Sequence, residues 1–541
     1  MNPLASYKCA GRLLMALAAV SSIVLITGCG SGSGIATPNS NGYSDSSLSS
    51  GTYVLSISGT DFTATTESFF AITGAISVDG NGNITGGTVD INDANLGGVF
   101  TAQAVSKSTY NITQDGRGTA TLDTPKGNFG LDFVLTSTGH GLITRFDGNG
   151  TGSGTLDLQG TTSQSSLVSL AFSLSGADAS QDPFGTVGAF TLNSSGTITP
   201  AGTEDFNDNT SSVTSGPTGS ALTGSLVLSS GTAGTAQFNS SFGSLLFDVW
   251  VIDSTHLKLI ETDASGIALS GDAFTQQTTF TAGQLVFTVA GADISGDPVA
   301  AGGFVTAAAN GTLTTGSEDY NNAGTANLLV GFAGSCSTFT AGRCQLVLPG
   351  FTNGTVSNLA FAAYPSSGGV LLLEDDNNGI LQGTAFAQTA TAFTVPGGYG
   401  LNLSGLNTDG EGDVGEVDDI AQFNATSAAA PAINMTGILD ENSVLGGLFP
   451  RVPLSGTYTP DSPATGRGSI SVPSLNTFIG GLTLEYYVVD ASTAVFIEVD
   501  ADQVSVGTFE AQSSSSSAGR AQSRMSLAHP VARAHGAFRR K

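Results

Sequence analysis

The sequence has 541 residues, which at about 150 residues per domain suggests three or four domains. Lys and Arg total 16 against 43 Asp and Glu, and this net charge of −27 disfavours a nucleic-acid binder, because phosphate contacts need clustered basic residues. Apolar residues make up 40% of the chain, too many for a wholly disordered protein. Positions 13–519 contain eight basic residues and all 43 acidic ones, so the folded body is strongly acidic.

The first 29 residues have the order of an export signal. Lys8 and Arg12 form a basic start, and the apolar run 13–26 is too short to span a bilayer comfortably. The run ends in Ile26-Thr27-Gly28-Cys29, which resembles the lipobox of bacterial lipoproteins.

This resemblance implies a membrane anchor. Residues 1–29 are then the signal peptide with its lipidation cysteine, and cleavage before Cys29 leaves that residue to carry lipid such as palmitate. Gly30 follows in place of an Asp, which by the family's sorting rule implies the outer membrane. Residues 30–50 are rich in Gly, Ser and Asn, and we interpret them as a flexible tether reaching on the order of 25 Å. The expected location is the cell envelope, on the periplasmic face or the cell surface.

The rest of the sequence repeats itself four times. Each copy opens with apolar residues at alternate positions, followed by a glycine: Gly59, Gly176, Gly291 and Gly405. Each copy closes with Gly and Gln five positions apart: Gly154/Gln159, Gly271/Gln276, Gly383/Gln388 and Gly507/Gln512. The repeats predict four homologous domains of about 110 residues: 51–160, 166–277, 281–389 and 395–512.

Two features inside the copies carry no assigned chemistry. A Gly, Asp and Asn echo recurs at Gly87/Asp90/Asn92, Gly202/Asp205/Asn207 and Gly316/Asp319/Asn321. The fourth copy departs most from the others between Asp409 and Phe449. We find no copy with the extra polar residues that would single it out as catalytic.

The pattern of each copy predicts antiparallel β-structure. In residues 53–58 apolar and polar side chains alternate with the period of two that is typical of a strand. Gly-rich runs such as 79–83 separate these segments and suit hairpin turns. About eight strands per copy predict an all-β meander, and we favour an up-and-down barrel over a sandwich because the connections are hairpin-like. The meander resembles those of avidin-like and lipocalin-like barrels, although it carries no diagnostic motif of either family.

The most suggestive chemical motif is a strand that carries Glu and Asp two positions apart. Such side chains point to the same face, so their carboxylates lie within several Å of each other. The pairs are Glu261/Asp263, Glu374/Asp376 and Glu498/Asp500. Three uses stay open: a structural strand face, a Ca²⁺ site, or general acid–base catalysis as in glycoside hydrolysis. Three copies in one chain favour the structural use, because an enzyme needs one site.

Other residue types give catalysis little support. Cys336 and Cys344 lie eight positions apart in an exported chain, which predicts a local disulfide. His140 and His256 are interpreted as solvated turn residues, and Trp250 lies in an apolar run expected in the core. We therefore assign no catalytic residue and no cofactor, with Ca²⁺ the one metal considered.

The final segment and the overall organisation favour an envelope protein. Residues 513–541 begin Ser-rich and end basic, a composition typical of disorder. The features together predict a non-enzymatic lipoprotein that binds, adheres or builds surface architecture. Its expected partners are the membrane, through the lipid, and a glycan or a protein ligand, but no nucleic acid. The alternatives are a polysaccharide hydrolase that uses an acid pair and a carrier of small apolar ligands.

Overall fold

The computed structural model describes residues 42–62, 66–209, 219–308, 310–336, 342–408, 413–427, 433–462, 464–476 and 480–513. The secondary structure of these residues consists of β-strands and of two 3-10 turns, Asp45–Ser47 and Gln164–Ser166. Within the described ranges no helix is long and apolar enough to cross a membrane. The predicted all-β class and the preference for barrels are confirmed, because the strands form four closed antiparallel barrels in tandem.

The first barrel has eight strand positions built from nine strands. These are β1 Gly51–Phe62, β2 Glu67–Val78, β3 Asn83–Asp93, β4 Gly98–Val105, β5 Ser108–Ile112, β6 Arg117–Thr124, β7 Gly127–Ser137, β8 His140–Asp147 and β9 Gly150–Leu158. One edge of β3 pairs with β2, and the other pairs with both β4 and β5, with a register shift in the β4 pairing between Val89 and Ile91. The strands β4 and β5 therefore act as one interrupted strand, and the pairing of β1 with β9 closes the barrel.

The other barrels have eight strands each, paired in sequence order, with the last strand pairing with the first. The second contains β10 Ser169–Ala177, β11 Pro183–Thr191, β12 Gly202–Asn207, β13 Ser220–Leu228, β14 Ala233–Asn239, β15 Ser244–Asp253, β16 His256–Glu261 and β17 Ala268–Thr275. The third contains β18 Gly283–Asp293, β19 Pro298–Ala307, β20 Thr312–Asn322, β21 Thr325–Cys336, β22 Cys344–Val347, β23 Ala360–Ser366, β24 Gly369–Glu374 and β25 Gly379–Ala387. The fourth contains β26 Gly397–Thr408, β27 Val414–Ala425, β28 Met435–Ser443, β29 Gly447–Pro460, β30 Arg467–Asn476, β31 Gly480–Asp490, β32 Thr493–Glu498 and β33 Gln503–Ala511.

Apolar side chains of each barrel fill its interior. On β1 the alternate residues Tyr53, Leu55 and Ile57 are at most 1% exposed and belong to the core of the first barrel. An eight-stranded barrel is just wide enough for side chains to fill it. The alternation seen in the sequence thus gives each barrel its core.

The repeated glycines lie where the first and last strands of a barrel meet. Gly154 of β9 faces Ile57 of β1, and a Cβ on Gly154 would lie 1.8 Å from the Ser56 carbonyl oxygen. A Cβ would lie 1.8–2.6 Å from a backbone carbonyl oxygen at the seven equivalent glycines of the two series as well: Gly59, Gly176, Gly271, Gly291, Gly383, Gly405 and Gly507. Glycine is needed there because any side chain would force apart the strands that close the barrel.

Gly154→Ala is expected to destabilise the first barrel by at least about 1–3 kcal/mol, the cost of overpacking against a backbone that cannot move aside. Urea unfolding followed by circular dichroism measures the change. Gly148→Ala is the matched control, because no atom lies within 4 Å of its added Cβ. An equal loss in both variants would contradict the close-approach explanation.

The last part of the predicted tether, residues 42–50, packs against the first barrel. Tyr43 and Leu48 are 3% and 2% exposed and pack in the core of the first barrel. The Tyr43 hydroxyl also donates to the Ser513 carbonyl oxygen at 2.9 Å, and the Ser513 N–H donates to the Thr136 carbonyl oxygen at 2.8 Å. Residues 42–50 therefore belong to the folded body, because two large apolar side chains are buried there.

Candidate functional site

Each barrel carries a buried Asp and Asn, two positions apart, on its third strand. They are the echo seen in the sequence, with a fourth copy that the sequence analysis missed: Asp90/Asn92, Asp205/Asn207, Asp319/Asn321 and Asp440/Asn442. All eight side chains are at most 5% exposed, and each pair contacts the barrel that follows. We call each such contact region between two barrels a joint.

The Asn of a joint binds the last hairpin of the following barrel. Asn321 Nδ2 donates to the carbonyl oxygens of Glu498, Asp500 and Gln503 at 3.1, 2.9 and 2.9 Å. The equivalent contacts are Asn92 with Glu261 and Ile267, Asn207 with Glu374 and Gly379, and Asn442 with Arg145 and Gly150. One amide thus satisfies several carbonyl groups that the joint removes from water.

The Asp of a joint connects its own barrel to the next one. Asp319 Oδ1 accepts the N–H of Leu329 at 2.7 Å, and Leu329 has a φ of 56°. The same bond reaches residues with φ of 52° and 58° in two other barrels, Ala102 from Asp90 and Arg451 from Asp440. Because such a backbone conformation costs about 1–2 kcal/mol outside glycine, the hydrogen bond helps to hold it. Each Asp also accepts a hydrogen bond from the next barrel.

The residues that meet these aspartates differ from joint to joint. Asp205 accepts from Arg343 at 2.6 and 2.9 Å and from the Tyr364 hydroxyl at 2.6 Å. The counterparts are Arg467 and Tyr487 on Asp319, Arg117 on Asp440, and the Trp250 indole N–H on Asp90. The expected core position of Trp250 is thus wrong: its ring is half-buried in the first joint, where its N–H finds a carboxylate.

The Gln that ends each repeat lies against the following barrel. Gln388 donates to the Val488 carbonyl oxygen at 2.8 Å, Gln159 to that of Thr232 at 3.1 Å, and the Gln276 amide lies beside Gly342. Gln512 donates to the carbonyl oxygens of Asp115 and Leu135 in the first barrel, at 2.8 and 3.0 Å. The first barrel therefore follows the fourth in space, and the four barrels close into a ring. We call the fourth-to-first joint the seam.

The predicted acid pairs lie in the hairpins that the joints bind. Glu261, Glu374 and Glu498 are at most 1% exposed. Their Asp partners accept backbone N–H groups of the strand that precedes the hairpin: Asp263 from Leu246 at 2.9 Å, Asp376 from Ala360 at 2.7 Å and Asp500 from Thr483 at 2.5 Å. Asp147 does the same with Gly130 in the first barrel, at 3.2 Å, where Arg145 replaces the Glu. Each pair thus fixes the hairpin onto which an Asn docks.

Burial favours the protonated form of these glutamates. Desolvation, followed by the neighbouring Asp263, raises the pKa of Glu261 to about 9. Desolvation, followed by Asp376 and Asp500, holds the pKa of Glu374 and of Glu498 well above the usual range. Among the described residues no three His, Cys, Asp or Glu side chains are arranged to hold a metal ion. Calcium binding at these pairs stays a prediction.

Charged side chains also meet in a buried network beside the seam. His140 contacts Asp157 at 2.7 Å and Glu510 of the fourth barrel at 3.3 Å. Burial opposes its protonation, but the Glu510 and Asp157 carboxylates outweigh that effect and raise the pKa of His140 to about 10. In the second barrel His256 and Lys258 contact Asp272 at 2.6 and 2.7 Å. The interpretation of both histidines as solvated turn residues is wrong, since they are 2% and 3% exposed.

Cavities in the described structure are small. One of about 40 Å³ lies where the first, third and fourth barrels meet, lined by polar residues such as Thr155, Thr384 and Thr508. Another of about 40 Å³ lies inside the third barrel among apolar side chains. A groove of about 330 Å³ lies between residues 277–281, the hairpin at Ser367 and Asp490. Of these three, the groove alone reaches the 300–1,000 Å³ that small-molecule sites occupy.

Cys336 and Cys344 form a disulfide in the third barrel, linking β21 to β22. The bond lies beside Arg343, which contacts both Asp205 and Asp375. It therefore fixes the segment that presents Arg343 to the joint. Cys29, the predicted lipidation site, lies outside the described residues.

Comparison with known proteins finds no matching family model and no matching curated protein. Among solved structures, intact Ap-TbpB (N and C lobes) has 10% identity over 85% of this chain and 94% of that chain, with a TM-score of 0.19. Transferrin binding protein B (TbpB) from serogroup B Neisseria meningitidis has 12% identity over 69% and 84%, with a TM-score of 0.17. A TbpB mutant from Haemophilus parasuis Hp5 has 8% identity over 71% and 85%, with a TM-score of 0.17. At TM-scores this low, fold and function rest on this chain's own residues.

Proposed function

We propose that the chain is a non-enzymatic lipoprotein of the bacterial outer membrane whose four barrels act as one rigid ring in binding or in surface architecture. The observation that carries the proposal is ring closure. Asn442 and Gln512 bind the first barrel with the same contacts that their counterparts make to the next barrel in sequence. Closure removes the independent motion that linked domains would otherwise have.

The buried positions of the candidate catalytic groups support the non-enzymatic part. A polysaccharide hydrolase needs both carboxyl groups beside a bound sugar. Here the glutamate of each acid pair is at most 1% exposed and lies beneath a joint. The carrier alternative would need a barrel interior large enough for a ligand, and the third barrel holds about 40 Å³.

The charge of the ring favours a partner that is neutral or cationic. Five of the eight basic side chains between positions 13 and 519 are buried: Arg117, Arg145, Lys258, Arg343 and Arg467. Of the 43 acidic side chains 23 are buried as well, but the others still outnumber the three remaining basic ones, and such a surface repels nucleic acid and anionic head groups. A glycan or a basic protein segment fits this surface.

Cys29→Ser is expected to abolish the attachment of lipid to the protein, because the proposed anchor is carried by the Cys29 thiol. Incorporation of labelled palmitate measures the change. Cys9→Ser is the matched control, since the lipobox resemblance assigns it no lipid. Labelling of the Cys29→Ser protein would contradict the proposed anchor.

A further inference from the structure

The seam is a joint between barrels that are not neighbours in the sequence. Linkers of seven to ten residues connect the barrels that meet at the other joints, whereas the seam brings together strands from the two ends of the described chain. Across it Asp440 accepts from Arg117 at 3.2 Å, and Asn442 donates to the Gly150 carbonyl oxygen at 2.8 Å. The seam therefore consists of two different complementary faces, one on the fourth barrel and one on the first.

The seam is also the least apolar of the four joints. Its apolar cluster contains three residues, Val134, Leu142 and Ile420, whereas the cluster between the second and third barrels contains ten. Buried carboxyl groups of the fourth barrel meet hydroxyl groups of the first instead. Asp418 accepts from Thr151 at 2.8 Å and from Ser153 at 2.7 Å, and Glu416 accepts from Thr60. Interfaces that separate and re-form are more polar than permanent ones.

We propose that the seam is an interaction surface for a second copy of the chain. When a ring opens there, the fourth barrel of one chain fits the first barrel of another through the same contacts that close the single ring. Two chains joined in this way close into a ring of eight barrels. Further chains extend the assembly head to tail, because the two faces are different and the contact is heterologous.

Competition from the closed single ring keeps this exchange limited. Within one chain the other three joints hold the two faces next to each other, so closure of the single ring is intramolecular and outcompetes binding to a second chain at low concentration. Isolated chains at low concentration are therefore monomeric rings. Exchange between chains becomes visible when the closed ring is weakened and the complementary faces are kept.

A complementation experiment with two variants of the full chain creates that situation. Arg117→Glu places a carboxylate opposite Asp440, and Asp440→Arg places a guanidinium opposite Arg117, so each variant weakens its own seam. In a mixture, Asp440 of the first variant meets Arg117 of the second and restores the native pair. One variant carries an affinity tag and the other does not. We expect the amount of untagged protein that co-purifies with the tagged complementary variant to be at least about tenfold larger than the amount that co-purifies with a tagged copy of the same variant. This factor corresponds to about 1.4 kcal/mol of charge-pair coupling.

Controls separate exchange from misfolding. Asp319→Arg makes the same charge change in the joint between the third and fourth barrels and leaves the seam unchanged. Its mixture with Arg117→Glu is expected to remain monomeric, because the Asp319→Arg chain keeps its own seam closed. Circular dichroism checks that each variant is folded. A mixture of an Arg117→Gln chain and an Asp440→Asn chain repeats the test with variants that place no like charges opposite each other in the seam. Folded variants of both sets that stay monomeric in every mixture, measured by analytical ultracentrifugation, would overturn the proposal. The outcome does not depend on Cys29, so it is distinct from failure of the proposed anchor.

Discussion

Asp205→Ala is expected to lower the free energy of unfolding by about 3–5 kcal/mol, the usual cost of removing one partner of a buried ion pair. The Asp205 side chain is fully buried and accepts three hydrogen bonds, two from Arg343 and one from Tyr364. With alanine at position 205, the buried guanidinium of Arg343, which is 2% exposed, loses the carboxylate at 2.6 Å. It keeps only the contact with Asp375 at 3.1 Å among its two ion pairs. Urea unfolding followed by circular dichroism measures the loss.

Two further variants isolate the contribution of the charge pair. Asp205→Leu combined with Arg343→Met removes both charges, and most of the lost stability is expected to return, because apolar replacements of buried pairs are often neutral. Asp502→Ala removes an exposed carboxylate and is expected to change stability by no more than about 0.5 kcal/mol. A loss for Asp205→Ala as small as that of Asp502→Ala would mean that the joint does not stabilise the ring.

The barrels could be predicted from the sequence because the signals that form them are local. The alternation in β1 places Tyr53 and Leu55 inside, and the repeated Gly154 marks the closing strand pair. Ring closure could not be predicted in this way. Asp205 and Arg343 are 138 positions apart, and a tryptophan takes the place of the arginine in the first joint. The repeated Asp and Asn can be recognised in the sequence, but the residues that bind the Asp differ from one joint to the next.

The missed features of the site have two physical origins. The fourth repeat departs from the others in a region that faces the first barrel across the seam, where Glu416 and Asp418 are buried against hydroxyl groups. The histidines follow turn residues in the sequence, but their side chains meet carboxylates on a neighbouring strand. His140 lies directly opposite Asp157 in the β8–β9 pairing, a contact that the hairpin register could have indicated.

The melting temperature is expected to fall by roughly ten degrees between pH 5 and pH 8. Desolvation is the main cause that raises the pKa of Glu318 to about 9 and the pKa of Asp132 and of Asp375 to about 7. These carboxyls keep in the folded protein a proton that they release in the unfolded chain. Their stabilising effect is complete below an ordinary carboxyl pKa of about 4 and is lost as the pH rises to the folded value.

Other shifted groups do not reverse this slope. The raised pKa of His140 gives stability that is complete below about 6.5 and is lost as the pH rises through about 10, so it acts in the same direction. Although burial opposes ionisation of Asp157 and Asp272, His140 next to the first and Lys258 next to the second hold both pKa values below the usual range. Their contribution is lost only as the pH falls below about 4. Maximum stability is therefore expected near pH 5.

Glu318→Gln tests the origin of this pH dependence. Glu318 is fully buried, and its Oε1 accepts the Thr352 N–H at 2.8 Å, a bond that the glutamine carbonyl retains. The variant cannot ionise, so its melting temperature is expected to fall less steeply between pH 5 and pH 8 than that of the unmodified chain. Asp502→Asn, which removes an exposed carboxyl, should leave the slope unchanged. A flat or rising melting temperature in the unmodified chain would show that its buried carboxyls are ionised already at pH 5, and the joints would then hold charges rather than protons.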